Sequence, residues 1–287
     1  MFFYHLTLEG AATNALLAGV FTWLMTALGA LAIIPFRRIS EKVLSGMLGL
    51  AAGVMVSASF WSLLAPSVDL SAEAGNPWLP AVTGFLLGGV LIRALDVTIP
   101  HIHLGVEKAE GRSVTWSRRI LLVAAVTLHN VPEGLAIGVV FGAITVTLNA
   151  ALTYMALGAI ELSFATLSHG ASFASAAALT LGIGLQNLLE GFAISMPLRA
   201  EGFTTVRSIF YGQLSAVVEP IFAVIGAATV LLVSSLLPYV MSLAAGAMIF
   251  VSVEELIPES QKNPDLATAS FMIGFAAMML LDVAFTI

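Results

Sequence analysis

His129-Asn130-Val131-Pro132-Glu133-Gly134 and Gln186-Asn187-Leu188-Leu189-Glu190-Gly191 are polar hexapeptides set inside apolar runs. A membrane-spanning helix needs about 20 predominantly apolar residues, and both runs reach that length. In each hexapeptide the first and fifth side chains lie one helical turn apart and leave the helix on one face. A carboxylate at the centre of a membrane helix costs about 2.5–3.5 kcal/mol even on the lenient insertion scale. Two such motifs demand a compensating charge.

The whole chain fits that setting. It has 287 residues, 59% hydrophobic and only 10% charged, with a mean hydropathy of +1.00. Soluble domains carry about 25% charged residues. The expectation is an all-α integral membrane protein forming one polytopic domain over 1–287. The start, Met1-Phe2-Phe3-Tyr4, has no basic region of the kind that opens a cleavable signal peptide. With no cysteine, neither a disulfide framework nor a thiolate metal site is available. The net charge of −6 and the lack of a long basic run argue against nucleic acid as a partner; the partner is the lipid bilayer.

Eight spans are expected: Ala12–Ile34, Val43–Ala65, Ala81–Ile99, Arg119–Phe141, Ala176–Leu198, Ser208–Leu232, Tyr239–Ile257 and Ala267–Ile287. Arg37, Arg38 and Lys42 follow the first. Lys108, Arg112, Arg118 and Arg119 follow the third, Arg199 and Arg207 the fifth, and Lys262 the seventh. Arg93 lies within the third span toward the same side. Eight spans put all these residues on one face, which the positive-inside rule makes cytoplasmic. Both termini are then extracytoplasmic, in a multi-pass protein of the cell membrane. Residues 101–118 form a cytoplasmic loop bearing His101 and His103. Residues 143–175 form a long external loop or an extension of the fourth span, with a helix allowed over Ala150–Phe164. A full crossing there would move Arg199, Arg207 and Lys262 outside. Asn149, Glu161 and His169 also disfavour a lipid-facing helix.

Internal repeats give the architecture. Leu50-Ala51-Ala52-Gly53-Val54-Met55 resembles Leu243-Ala244-Ala245-Gly246-Ala247-Met248, and Pro66 and Pro258 follow at similar distances. Leu95-Asp96-Val97 matches Leu281-Asp282-Val283. The copies are five spans apart, so they run antiparallel. The layout is 3+2+3: three spans, the motif pair, then three inverted spans. Inverted repeats around a polar midplane site are a transporter signature.

If the two motif turns face each other, His129, Glu133, Gln186 and Glu190 bring one nitrogen and at least three oxygens together. A divalent cation between the helices is the simplest compensation for their charge. Pro132 lacks an N–H and releases the Leu128 carbonyl, while Gly134 and Gly191 permit close helix approach. Glu219-Pro220 repeats the pairing of carboxylate and proline. Glu133 and Glu190 neutralise one divalent ion, so one tight ion is expected, with a weaker second position near Asn130, Asn187 and Glu219. Imidazole with carboxylate and amide oxygens suits Zn, Cd, Fe(II) or Mn better than Cu(I), Mg or Ca. The ion is cargo; no prosthetic group is expected.

These residues resemble the ZIP (Zrt-/Irt-like) metal transporters, in their GufA-like branch. His129-Asn130-x-Pro132-Glu133-Gly134 is similar to that family's fourth-helix motif, and Gln186-Asn187-x-x-Glu190-Gly191 to its fifth. Glu219-Pro220 resembles the sixth-helix glutamate, Pro100-His101-x-His103 the start of the histidine loop, and Leu243–Met248 with Pro258-Glu259 the seventh helix. The resemblance implies eight helices, external termini and flux of divalent metal, Zn foremost, into the cytoplasm. It also implies a paired metal site between helices four and five. An elevator-like movement of helices one, four, five and six against the rest, often in a homodimer, is implied as well. Leu189 stands where the fifth-helix motif usually has proline, which removes the expected kink. Asn187 stands where some relatives have aspartate, which removes one negative charge.

Other polar residues have plainer readings. His101 and His103 read as solvated loop residues, or else as a weak metal relay. Glu254, Glu255 and Glu259 read as a solvated end of span seven, or as a lure for exiting cations. Asp69 offers the same pair of readings at the other face. Asp96 and Asp282 read as structural, Met55 and Met248 as packing, and Trp23, Trp61, Trp78 and Trp116 as core or interfacial anchors. Two rival functions stand beside import: a membrane-embedded metallohydrolase and a metal exporter. The hydrolase lacks a His-Glu-x-x-His pair and has no use for ligands repeated in an inverted frame, so the chain is not expected to be an enzyme.

Overall fold

Inside a bilayer no water satisfies exposed N–H and C=O groups, so apolar runs close their own backbone bonds as helices. In the computed structural model, which describes residues 8–36, 38–73, 76, 78–101, 118–161, 172–200 and 202–286, the regular elements are all helical. Eight of these helices are long and apolar enough to cross a membrane: Glu9–Leu31, Glu41–Ala72, Leu79–Thr98, Val123–Ala156, Phe173–Ala200, Thr205–Leu232, Ser234–Ser260 and Pro264–Phe285. They are called spans one to eight below. His103 and His169 lie outside the described residues.

Three local features depart from the apolar runs. The helix containing span four continues through Arg118–Ala156, 39 residues in all, so 143–156 are helical rather than loop. Within the segment Ala150–Phe164 this helix ends at Ala156, where Gly158 takes a φ of 77°; Ile160 and Glu161 are helical again, and 162–164 lie outside the described residues. The Ala159 N–H then reaches back to the Tyr154 carbonyl at 2.9 Å, a glycine-centred helix stop. Span five runs unbroken through Leu189. Span six breaks into a 3₁₀ turn at Ser215–Val217, and a fresh helix starts at Val218. Glu219 therefore sits in a first helical turn, where the helix dipole favours a negative charge.

The inverted repeat is visible atom by atom. Spans two and eight pack together, and so do spans seven and three, their counterparts. A Cβ on Gly53 would stand 2.1 Å from the Phe271 carbonyl oxygen; on Gly246 it would stand 2.0 Å from that of Phe85. Reciprocally, a Cβ on Gly88 would meet the Leu243 oxygen at 2.1 Å, and on Gly274 the Leu50 oxygen at 2.2 Å. Each half also leaves α geometry at one place: a π-helical turn begins at Ser59 in span two and another at Ser252 in span seven. Both serines stand nine residues beyond the repeated leucine, Leu50 or Leu243. Their hydroxyls donate to Met55 O at 2.7 Å and Met248 O at 2.9 Å. Met55 and Met248 are themselves fully buried, in keeping with a packing role.

Spans one, four, five and six form a second group, with one packed on five and four on six. Here Gly191 would put a Cβ 2.1 Å from the Thr26 oxygen, and Gly134 a Cβ 2.5 Å from that of Glu219. These bare backbone contacts hold the motif turns against spans one and six and fix where the polar side chains meet.

Candidate metal site

Glu133, Gln186, Asn187 and Glu219 are wholly shut from solvent, and Glu190, His129 and Asn130 nearly so. Helical spacing puts His129 over Glu133 and Gln186 over Glu190, and the glycine contacts seat span four on six and span five on one, with Gly19 of span one against Pro220 of span six. Gln186 Nε2 donates to Glu133 Oε1 at 2.5 Å and to Glu190 Oε1 at 3.2 Å. Its amide nitrogen thus bridges two carboxylates. Asn187 Nδ2 donates to Glu219 Oε2 at 2.8 Å. The network thus has two arms, Glu190–Gln186–Glu133 and Asn187–Glu219, which leave span five at consecutive residues. Asn130 points back along its own helix, donating from Nδ2 to Val126 O at 3.1 Å.

Four buried oxygens in this network accept no hydrogen bond among the described residues: Glu133 Oε2, Gln186 Oε1, Asn187 Oδ1 and Glu219 Oε1. Buried polar atoms are almost always satisfied, and each exception has a cost. A cation would satisfy all four, and the donor set, with imidazole alongside, matches a borderline divalent metal. In the arrangement described, no three His, Asp or Glu side chains stand close enough to share one ion. The positive ends of two amides occupy the space between carboxylates instead. A half-turn of each amide about its last torsion exchanges donor for acceptor and turns an oxygen inward.

His129 has a partner that sequence pattern did not supply. Its Nε2 pairs with Glu255 Oε1 of span seven. Glu255 occupies the repeat position of Ser62, each lying twelve residues beyond its repeated leucine. Ser62 Oγ in turn donates to both Asp282 carboxylate oxygens, at 2.9 and 2.8 Å. The repeat frame, extended past the hexapeptide, marks the position as polar in both halves but does not point to His129. His101 is a correction as well: it is fully buried rather than solvated. Its Nε2 meets Asp96 Oδ1 at 2.8 Å, and Asp96 also binds Arg93 at 2.6 Å. Asp96 and Asp282 therefore anchor polar clusters at opposite ends of the repeat.

The chain is 35% identical to zinc transporter ZIP11 of Homo sapiens, across 94% of its own length and 96% of that protein. It is a member of the ZIP family. The zinc transporter GufA of Myxococcus xanthus is 34% identical over 94% of this ZIP chain and 98% of its own. Zinc transporter ZIPB of Bordetella bronchiseptica is 35% identical over 94% and 81%. Residues 162–282 also match the family described as ZIP Zinc transporter. The stated activity of these relatives is transport, not catalysis, and the ZIP chain is accordingly a membrane transporter of divalent metal rather than an enzyme.

Proposed function

We propose that the chain carries divalent transition metal, Zn first and Cd, Fe(II) or Mn behind it, across the cell membrane into the cytoplasm. The cargo binds between spans four and five, held by His129, Glu133, Gln186 and Glu190. Asn130, Asn187 and Glu219 supply a weaker second position. The observation that carries this reading is the set of four unsatisfied buried oxygens on Glu133, Gln186, Asn187 and Glu219. The concentration of basic residues on one face supports a cytoplasmic assignment for that face, with both termini outside.

The two groups of spans support alternating access. Spans one, four, five and six carry the cargo; spans two, three, seven and eight frame it. The pair formed by His129 and Glu255 crosses from one group to the other, so an elevator-like displacement breaks it. A metal arriving at His129 Nε2 also competes with that pairing.

Liposomes containing the purified chain test the reading. Zinc and cadmium are expected to enter faster than manganese or Fe(II), because imidazole nitrogen favours the softer ions. Stoichiometric zinc binding without flux would sink it, and cells that lose metal on expression would reverse its direction. Acid should slow the same uptake. His129 must be neutral at its ligating nitrogen and the carboxylates ionised, so protons compete with the metal. Uptake at pH 6 should fall several-fold, roughly threefold or more, below that at pH 7.5; equal rates would contradict a histidine ligand.

A further inference from the structure

Arg38 and Arg199 line a cavity of about 640 Å³, beyond Glu190 at the end of span five. It lies where the segment linking spans one and two meets the last turn of span five. Ile39, Met196, Pro197 and Ala200 complete its wall. Among the described residues no carboxylate lines it and neither arginine forms an ion pair. The chain holds 17 acidic residues against 11 basic ones, so an acid-free pair of arginines is not a by-product of surplus base. The positive-inside rule puts arginines on this face but does not require two on one cavity.

Arg199 is fixed in place. Its Nη1 donates to Phe36 O at 2.6 Å and Ile33 O at 3.4 Å, at the end of span one. Those bonds use one nitrogen and leave the other donors of the guanidinium fork. Two guanidinium groups over one cavity form a phosphate-recognising pair. The apolar remainder of the wall, at the boundary of the membrane, separates a lipid from a free anion. Basic pockets between membrane helices on the cytoplasmic side are suited to anionic headgroups.

We propose that this cavity seats an anionic phospholipid of the adjacent leaflet, its phosphodiester between Arg38 and Arg199 and its acyl chains leaving over Ile39, Met196 and Pro197. The lipid joins span five, which carries the metal motif, to the linker entering span two. The composition of that leaflet thereby acts on the contact between the two groups of spans.

Native mass spectrometry of the delipidated full-length protein, titrated with phosphatidylglycerol or phosphatidylcholine, tests this. Phosphatidylglycerol should be retained several-fold better, and Arg38→Gln should cost about fivefold of that preference. Arg199→Gln should cost at least as much but also loosens span one, so Arg38→Gln, an exposed position, carries the test. Equal retention of the two lipids, or a preference unchanged by Arg38→Gln, overturns the proposal. Displacement of phosphatidylglycerol by inorganic phosphate overturns it in favour of a free-anion site; failure of phosphate to compete supports the lipid.

Discussion

Glu133→Ala is expected to abolish zinc uptake while leaving the protein folded in the membrane. Glu133 is fully buried, accepts from Gln186, and carries one of the four unsatisfied oxygens. Removing it takes away a ligand and half of the charge that neutralises one divalent ion. The loss should exceed 100-fold or so, since even outer-shell partners of a metal are worth about 10–100-fold. The fold should not suffer, because alanine is the best helix former and the change removes a costly intramembrane carboxylate. Glu190→Ala should behave alike. Glu219→Ala should keep part of the activity, because Asn187 couples it to the site from the next span. Flux in liposomes, with a thermal melt of each variant, separates the outcomes. Equal and complete loss in all three would establish an obligatory two-metal site, and normal flux through Glu133→Ala would remove the site altogether.

Gly246→Leu should be the most damaging change to the frame. The Phe85 carbonyl oxygen stands 2.0 Å from where its Cβ must go, and backbone cannot step aside as a side-chain tip can. Spans three and seven must separate, with a cost above the usual 1–3 kcal/mol of overpacking. Gly53→Leu should cost as much in the mirror-related pair, spans two and eight. Gly89→Ala supplies the contrast, because its Cβ would meet only Phe250 Cδ2 at an ordinary 3.6 Å. Folded yield and melting temperature in detergent are the readouts. A drop of more than about 5 °C is expected for Gly246→Leu, with Gly89→Ala unchanged. Similar behaviour of the two would mean that the helix pairs are looser than their spacing implies.

The eight spans were legible because each needs its own long apolar run. The inverted frame was legible where both halves kept the same leucine-alanine-alanine-glycine string. The relation of span one to span six was not, since they share no string. It emerges only where the Thr26 and Glu219 carbonyls meet Gly191 and Gly134 as counterparts. The ligand pairs could be read because helical spacing is local. Glu255 could not, because its contact with His129 joins distant spans. His101 was misjudged for a related reason: a histidine beyond a helix end looks wet until the chain folds it onto Asp96. The extension of span four was one of two alternatives the sequence left open, since Asn149 fits either a loop or a helix end, and the helix runs on to Ala156.

The paired π-helical turns bear on history. Such a turn holds one residue more than the α-helix around it, and the simplest origin is a single-codon insertion. Ser59 and Ser252 open theirs at the same repeat position. The economical account is one insertion rather than two, made in an ancestral three-span unit and copied when that unit was duplicated. Before doubling, the same polypeptide had to enter the bilayer in both orientations and dimerise head to tail.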